Sequence, residues 1–195
     1  MNHYISVNVI NESGYKAAIE GIRLYRDIPF EQAVEVTKTL ASKDGGHNKF
    51  LESIYVWLEV IAPRYWWQEA DTYRLTTKQS ESSMHTLKKE LGVLRASDNF
   101  NLSTYIGAKF EYGSVTMEQI MRMIEMSKSS DISQLKRLLP EGYLQTRIWC
   151  LNYKTLRNII LQRRTHRLPH WKDFIAQLLL QVNNPELLPA LEKKM

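Results

Sequence analysis

Apolar positions in the first part of the chain switch between two periods. Tyr4 to Ile10 alternates and is β-branched, which predicts a first strand. Asn11-Glu12-Ser13-Gly14 breaks it. Ala18, Ile22 and Tyr25 then recur at helical spacing, so Tyr15 to Tyr25 is predicted as a helix. Pro29 opens a second helix carrying Ala33, Val34, Val36 and Leu40, and Lys43-Asp44-Gly45-Gly46-His47 ends it with the glycine a helix C-terminus favours. Ser53 to Ile61 is rich in Ile, Tyr, Val and Trp and reads as a buried strand.

That strand must stop at Ala62-Pro63, because proline lacks the N–H a strand interior needs yet suits the first turn of a helix. Arg64 to Arg74 follows as a predicted helix, too polar for plain core and too aromatic for plain surface. Next come Thr76 to Ser83, eight polar residues of which five carry hydroxyls. Such a stretch can offer N–H and O–H donors to an anion, or it can be a solvated turn.

The second part is less evenly legible. Leu87 to Gly113, with Gly92, Gly107, Gly113 and a polar run at Ser97 to Asn99, is expected to be an irregular loop. Thr116 to Ser127 is a predicted helix with Thr116 as N-cap, and Met117, Ile120, Met121 and Ile124 form a stripe expected to face the core. Ile132 to Leu139 is a further helix stopped by Pro140, and Tyr143 to Leu151 is a strand. Asn152 to Arg164 is a helix with Leu156, Ile159, Ile160 and Arg163 on one face, so Arg163 is expected to point inward while Arg157 and Arg164 lie outside. Phe174 to Val182 is the last predicted helix.

Composition narrows the function classes. The 195 residues suffice for one domain with a sizeable core, and a single domain over 1–195 is expected. No stretch is long and apolar enough to span a membrane and no secretory leader pattern is present, so a cytoplasmic protein without a membrane partner is expected. The one cysteine, Cys150, excludes an intramolecular disulfide and reads as a small core residue. A net charge of +5 permits phosphate-bearing partners without demanding nucleic acid. The common dinucleotide, phosphate-loop and serine-nucleophile motifs are missing. His166 and His170 are separated by Pro169 and lack a partnering acid, so no metal site is expected.

Two separated spacings nevertheless resemble the flavin-dependent thymidylate synthases. That family carries R-H-R-x-x-S-x-x-x-x-S-x-R after a strand ending in an Ala-Pro-like break. Here the register reads Thr72-Tyr73-Arg74, Thr77, Ser82 and Met84. Its Gly-His and following acid match Gly46-His47 and Glu52. Its C-terminal Pro, Trp and N-x-R-S-L-x-N-x-x-x-L-R are matched in order by Pro140, Trp149, Asn152-Tyr153-Lys154-Thr155-Leu156-Arg157-Asn158 and Arg163.

The resemblance implies an α+β fold, a single mixed domain whose central sheet is packed with helices, assembled as a homotetramer that builds each active site from several subunits. It implies reductive methylation of dUMP with FAD, methylenetetrahydrofolate and NADPH as cofactors. Arg163 would be the catalytic group, stabilising the ionised uracil. His47, Glu52, Arg74, Asn152, Lys154, Asn158 and His166 would hold the flavin. Gln68, Glu69, Ser80, Glu81, Ser82, Ser83, Lys136, Arg137 and Arg163 would bind the nucleotide. Thr72 and Tyr73 replace the motif's first arginine and its histidine, and Met84 replaces its last arginine. Each lost charge-assisted hydrogen bond weakens anion binding by about 1.5–3 kcal/mol unless another cation substitutes, with Arg64, Lys78 and His85 nearby. Two other readings stay open. One is a non-catalytic or respecialised homologue that binds a nucleotide. The other is a nucleic-acid binder using the Arg157, Arg163, Arg164, His166 and Arg167 cluster, which is the less favoured partner class.

Overall fold

The computed structural model describes residues 5–96, 101–128 and 131–191. Tyr4, the Ser97 to Asn99 run and the side chain of Met84 lie outside the described residues. The chain divides into two compact units. The first contains Met1–Val60, Asp71–Gln79 and Arg147–Met195, and the second Ile61–Ala70 and Ser80–Thr146.

In the first unit, strand β1 (Ser6–Ser13) is followed by helices α1 (Tyr15–Arg26) and α2 (Phe30–Ala41). Gly14 makes the turn at φ 91°, and a Cβ there would lie 1.9 Å from the carbonyl oxygen of Ser53, so only glycine fits. A 3-10 turn, Lys49–Ser53, leads into β2 (Tyr55–Pro63). β2 alternates: Val56, Leu58 and Val60 are buried, whereas Tyr55, Trp57 and Glu59 keep some exposure. β3 is short (Thr77–Ser80), and β4 (Leu144–Asn152) lies between β2 and β3, giving the order β1-β2-β4-β3. α8 (Tyr153–Arg163) and α9 (Pro169–Leu179) complete the unit. Its core packs Trp149, Trp171 and Phe174 against one another, with both Trp–Phe centroid separations 5.8 Å.

The second unit begins with α3 (Arg64–Ala70), which starts directly after Pro63 but ends four residues before Arg74. Trp66 and Trp67 on it are fully buried, edge to face at 5.0 Å. These aromatics fill the unit's own interior and are not available as an interface. The 87–113 segment, expected to be irregular, instead contains most of α4 (Ser83–Ala96) and all of α5 (Leu102–Lys109). Leu87, Leu91 and Leu94 pack there with Tyr105, Phe110 and Tyr143. α6 (Met117–Met126) starts from a full capping box between Thr116 and Gln119. Its buried face is Ile120 and Met123, while Met117 and Met121 are 48% and 54% exposed, so the expected stripe is rotated. α7 (Ile132–Arg137) is capped by Asp131, whose Oδ1 accepts from Ser133 N–H at 2.9 Å.

Among the described residues no helix is long and apolar enough to cross a membrane.

Candidate functional site

The end of β4 and the start of α8 set the first wall of a cavity. Asn152 caps α8, its Oδ1 accepting from Thr155 N–H at 2.9 Å. The first turns of α8 then carry Lys154, Thr155 and Asn158 to a cavity of about 660 Å³. The remaining wall comes from Glu52, Tyr55, Cys150 and the run Leu75-Thr76-Thr77. Leu75 is 84% exposed and sits at φ 60°, a conformation that costs a non-glycine residue about 1–2 kcal/mol. The chain turns there and enters β3 with Thr76 and Thr77 against the cavity.

Lys154 is held rather than free to swing. Its Nζ donates to Oδ1 of buried Asn48, whose Nδ2 donates to Ala41 O. Cys150 is half-buried, and burial pushes its thiol above the usual cysteine range, so it is neither core nor an activated nucleophile. A smaller cavity of about 230 Å³ adjoins the same residues, lined by Trp57, Thr77, Gln79, Ile148 and Cys150. Both open on the side of the strands opposite Val56, Leu58 and Val60.

The cavity therefore gathers Glu52, Asn152, Lys154 and Asn158 from the expected flavin set. His47, exposed beside the glycine turn, does not line it, nor do exposed Arg74 and half-buried His166. His166 caps the chain after α8, its Nδ1 accepting from Leu168 N–H at 3.2 Å.

Arg163 lies in an aromatic bracket. Its Nε donates to the Tyr73 hydroxyl at 2.7 Å, and the guanidinium carbon stands 4.8 Å from the Trp171 ring centroid and 5.5 Å from that of Tyr73. The two rings meet edge to face at 6.0 Å. Arg157, expected at the surface, is only 7% exposed; it donates to Asp44 at 3.1 Å and to Ser42 O at 2.9 Å. The C-terminal arginines thus do not form one open basic face, which removes the main support for a nucleic-acid surface.

The other expected nucleotide-binding residues belong to the second unit. Gln68 donates to Glu141 at 2.9 Å and Glu69 is half-buried. Ser80 and Ser82 are exposed and Ser83 is buried. Glu81 pairs with the Thr146 backbone through its own N–H at 3.1 Å and its carboxylate at 3.3 Å. Lys136 and Arg137 occupy the last turn of α7. Two nearby cations have structural work instead: Arg64 donates to Leu139 O at 2.8 Å, and Lys78 sits near Asp71 at 3.7 Å and over the Trp149 ring at 4.9 Å.

Sequence reasoning missed Tyr55, Thr76, Thr155 and the half-buried Cys150 as cavity residues, and Trp171 as the partner of Arg163. The outward phase of β2 signals Tyr55, but pairing Tyr73 with Trp171 requires the fold.

No protein-family model matches this sequence, and no curated protein sequence matches it. Two solved structures do share its fold. Thymidylate synthase X from Helicobacter pylori, solved with FAD and dUMP, superposes with a TM-score of 0.77 at 18% identity, over 94% of this chain and 96% of that one. A flavin-dependent thymidylate synthase from the same organism, complexed with FAD and dUMP, gives a TM-score of 0.76 at 18% identity, over 96% and 100%. The chain has the mixed α+β fold of the flavin-dependent thymidylate synthases.

Proposed function

We propose that this protein is a flavin-dependent pyrimidine-nucleotide methylase that converts dUMP, or a related deoxynucleotide, to its methylated product. The observation that carries this reading is the larger cavity, which Glu52 lines together with Asn152, Lys154 and Asn158, about 100 residues further along the chain. Its donor set suits FAD. Lys154 offers a cation to a diphosphate, Asn158 a carboxamide, and Thr76, Thr77 and Thr155 hydroxyls, beside the flat face of Tyr55. When bound, FAD supplies the reducing equivalents, renewed by NADPH, while methylenetetrahydrofolate supplies the carbon.

The chain's own part is to bind, orient and polarise. Arg163 donates to the uracil edge and stabilises the ionised ring, so that its carbon becomes nucleophilic. Ser82, Lys136 and Arg137 of the second unit are candidate donors to a phosphate. Asn48 fixes the Lys154 ammonium before ligand arrives. The Cys150 thiol takes no part in attack.

A homotetramer fits the same reading. Tyr55, Trp57, Ile148 and Cys150 leave one side of the strands apolar and partly uncovered, and a second copy laid there would close both cavities. The working compartment is the cytoplasm.

The test is titration with FAD. Quenching of flavin fluorescence, followed by dUMP-dependent turnover with methylenetetrahydrofolate and NADPH, is the expected result. Nucleotide binding without flavin binding would favour the respecialised homologue, the reading to which Thr72, in place of the motif arginine, points.

A further inference from the structure

We infer that Asn48 is a positioning residue that holds the Lys154 ammonium, at full charge, as the phosphate-reading cation of the larger cavity. The inference rests on the flavin reading above. Asparagine is a preferred helix cap, and Asn48 stands immediately before the 3-10 turn Lys49–Ser53. Its side chain nevertheless makes no capping bond there. It is fully buried and turned to two other partners. Oδ1 accepts from Lys154 Nζ, and Nδ2 donates to Ala41 O at 3.4 Å. This orientation of the carboxamide is forced, because an ammonium only donates and a carbonyl only accepts. Ala41 is the last residue of α2, where carbonyls lack partners within the helix. One carboxamide thus ties the end of α2 to the start of α8.

The neutrality of the anchor has a chemical consequence. Lys154 is the second residue of α8, and the first turn of that helix contains no acid. A cation there faces the positive end of the helix dipole, so nothing in α8 itself favours it. A lysine stem is long and rotamer-rich, and left alone it carries its charge out to water. A carboxylate partner would fix the ammonium but offset its charge. The Asn48 oxygen fixes it and leaves the charge in place. Glu52, which lines the same cavity, is not ion-paired with it. The remaining N–H donors of Lys154 are left for the cavity it lines. A compact, fixed ammonium without a planar fork suits a phosphate oxygen. Asn48 therefore sets the preference of this cavity for a phosphate-bearing flavin over an unphosphorylated one.

The experiment compares wild type, Asn48→Ala, Asn48→Asp, Lys154→Met and the double variant Asn48→Ala with Lys154→Met. Quenching of flavin fluorescence titrates each protein with FAD and, separately, with riboflavin, which has no phosphate. Thermal melting is recorded for each. The readout is the ratio of the two affinities, which a general weakening of the fold leaves unchanged. Asn48→Ala is expected to cut the advantage of FAD over riboflavin by about three- to tenfold, as when the ligand must itself immobilise a long side chain. Asn48→Asp keeps the shape and an acceptor for the ammonium but offsets its charge, and should cut the advantage at least as far. On the Lys154→Met background, Asn48→Ala should change the ratio less than about twofold, because its effect passes through the lysine. An Asn48→Ala protein that melts earlier but keeps the wild-type ratio would overturn the inference, since the contact would then only support the fold. A wild-type ratio in Asn48→Asp, or additive losses in the double variant, would overturn it too. Wild type that binds FAD and riboflavin equally would overturn the inference and leave the flavin reading standing. Wild type that binds neither would overturn the flavin reading itself, and the role of Asn48 with it.

Discussion

Gln177 pairs with the backbone of Val7 as a neighbouring strand would. Its Oε1 accepts from Val7 N–H at 3.0 Å, and its Nε2 donates to Ile5 O at 3.0 Å. Gln181, four residues on and just past the end of α9, repeats the pattern, accepting from Val9 N–H at 3.0 Å and donating to Val7 O at 2.7 Å. The spacing explains the fit. Four helical residues rise about 6 Å, close to the roughly 6.8 Å covered by two strand residues. β1 is an edge strand, so its outward N–H and C=O groups are a template for another chain. The two carboxamides cover that template. Replacing both glutamines by alanine should lower unfolding stability by about 1–3 kcal/mol and promote association through the bared edge. Urea unfolding and light scattering on the double variant check this; unchanged stability with no added scattering would refute it.

Lys78 is expected to leave a pH signature. Burial holds its ammonium below the ordinary lysine value of 10.5; Asp71 acts in the opposite direction and Arg147 adds to the lowering. The side chain is only 12% exposed. Below its folded value both the folded and unfolded states carry the proton, so the penalty is constant. Between that value and 10.5 the unfolded state binds more protons, and stability contributed by this group rises with pH. Lys78→Met removes the rise. It should be at least as stable as wild type near pH 7, because Asp71 keeps Arg147, whose Nη1 lies 3.0 Å from both carboxylate oxygens. The difference in melting temperature between the two proteins, followed from pH 7 to 10, cancels the tyrosine titrations common to both. A wild-type advantage that grows on going down in pH would contradict the sign.

How much of this was legible follows from where the determining contacts lie. Pro63 and Asn152 punctuate β2 and β4 locally, and the sequence marks both ends within two residues. Thr116 and Gln119 likewise announce α6, but Met117, Ile120, Met121, Met123, Ile124 and Met126 make most of its circumference apolar, so periodicity could not choose the buried side. Gly92 and Gly107 hid α4 and α5. Both sit where an added Cβ would meet nothing within 4 Å, so they report no tight packing and break no helix. Arg157 was misplaced because its partner Asp44 is 113 residues away, and no local pattern encodes that burial. The spacing of Asn152, Lys154 and Asn158 was readable because the cap and first turns of one helix carry all three. Tyr73 beside Arg163 was not, since its meaning depends on a contact across 90 residues.

Cys150 offers a direct report on the larger cavity. It is the one cysteine in the chain, so thiol chemistry labels a single position. It lines both cavities described above, and burial raises its pKa above the ordinary 9.0. The thiolate is the reactive form, so alkylation by iodoacetamide should be slow at pH 7 and accelerate through and beyond pH 9, without levelling where a free cysteine would. If FAD occupies the cavity walled by Lys154 and Asn158, saturating FAD should slow the labelling by about tenfold or more, as expected for mass-action protection of a site that reacts only when empty. Riboflavin, which lacks the phosphates Lys154 would neutralise, should protect at higher concentration. Mass spectrometry at timed intervals reads all three rates. Labelling that proceeds unchanged while FAD fluorescence is quenched would place the flavin away from Cys150, and would detach the flavin assignment from this cavity without touching the fold.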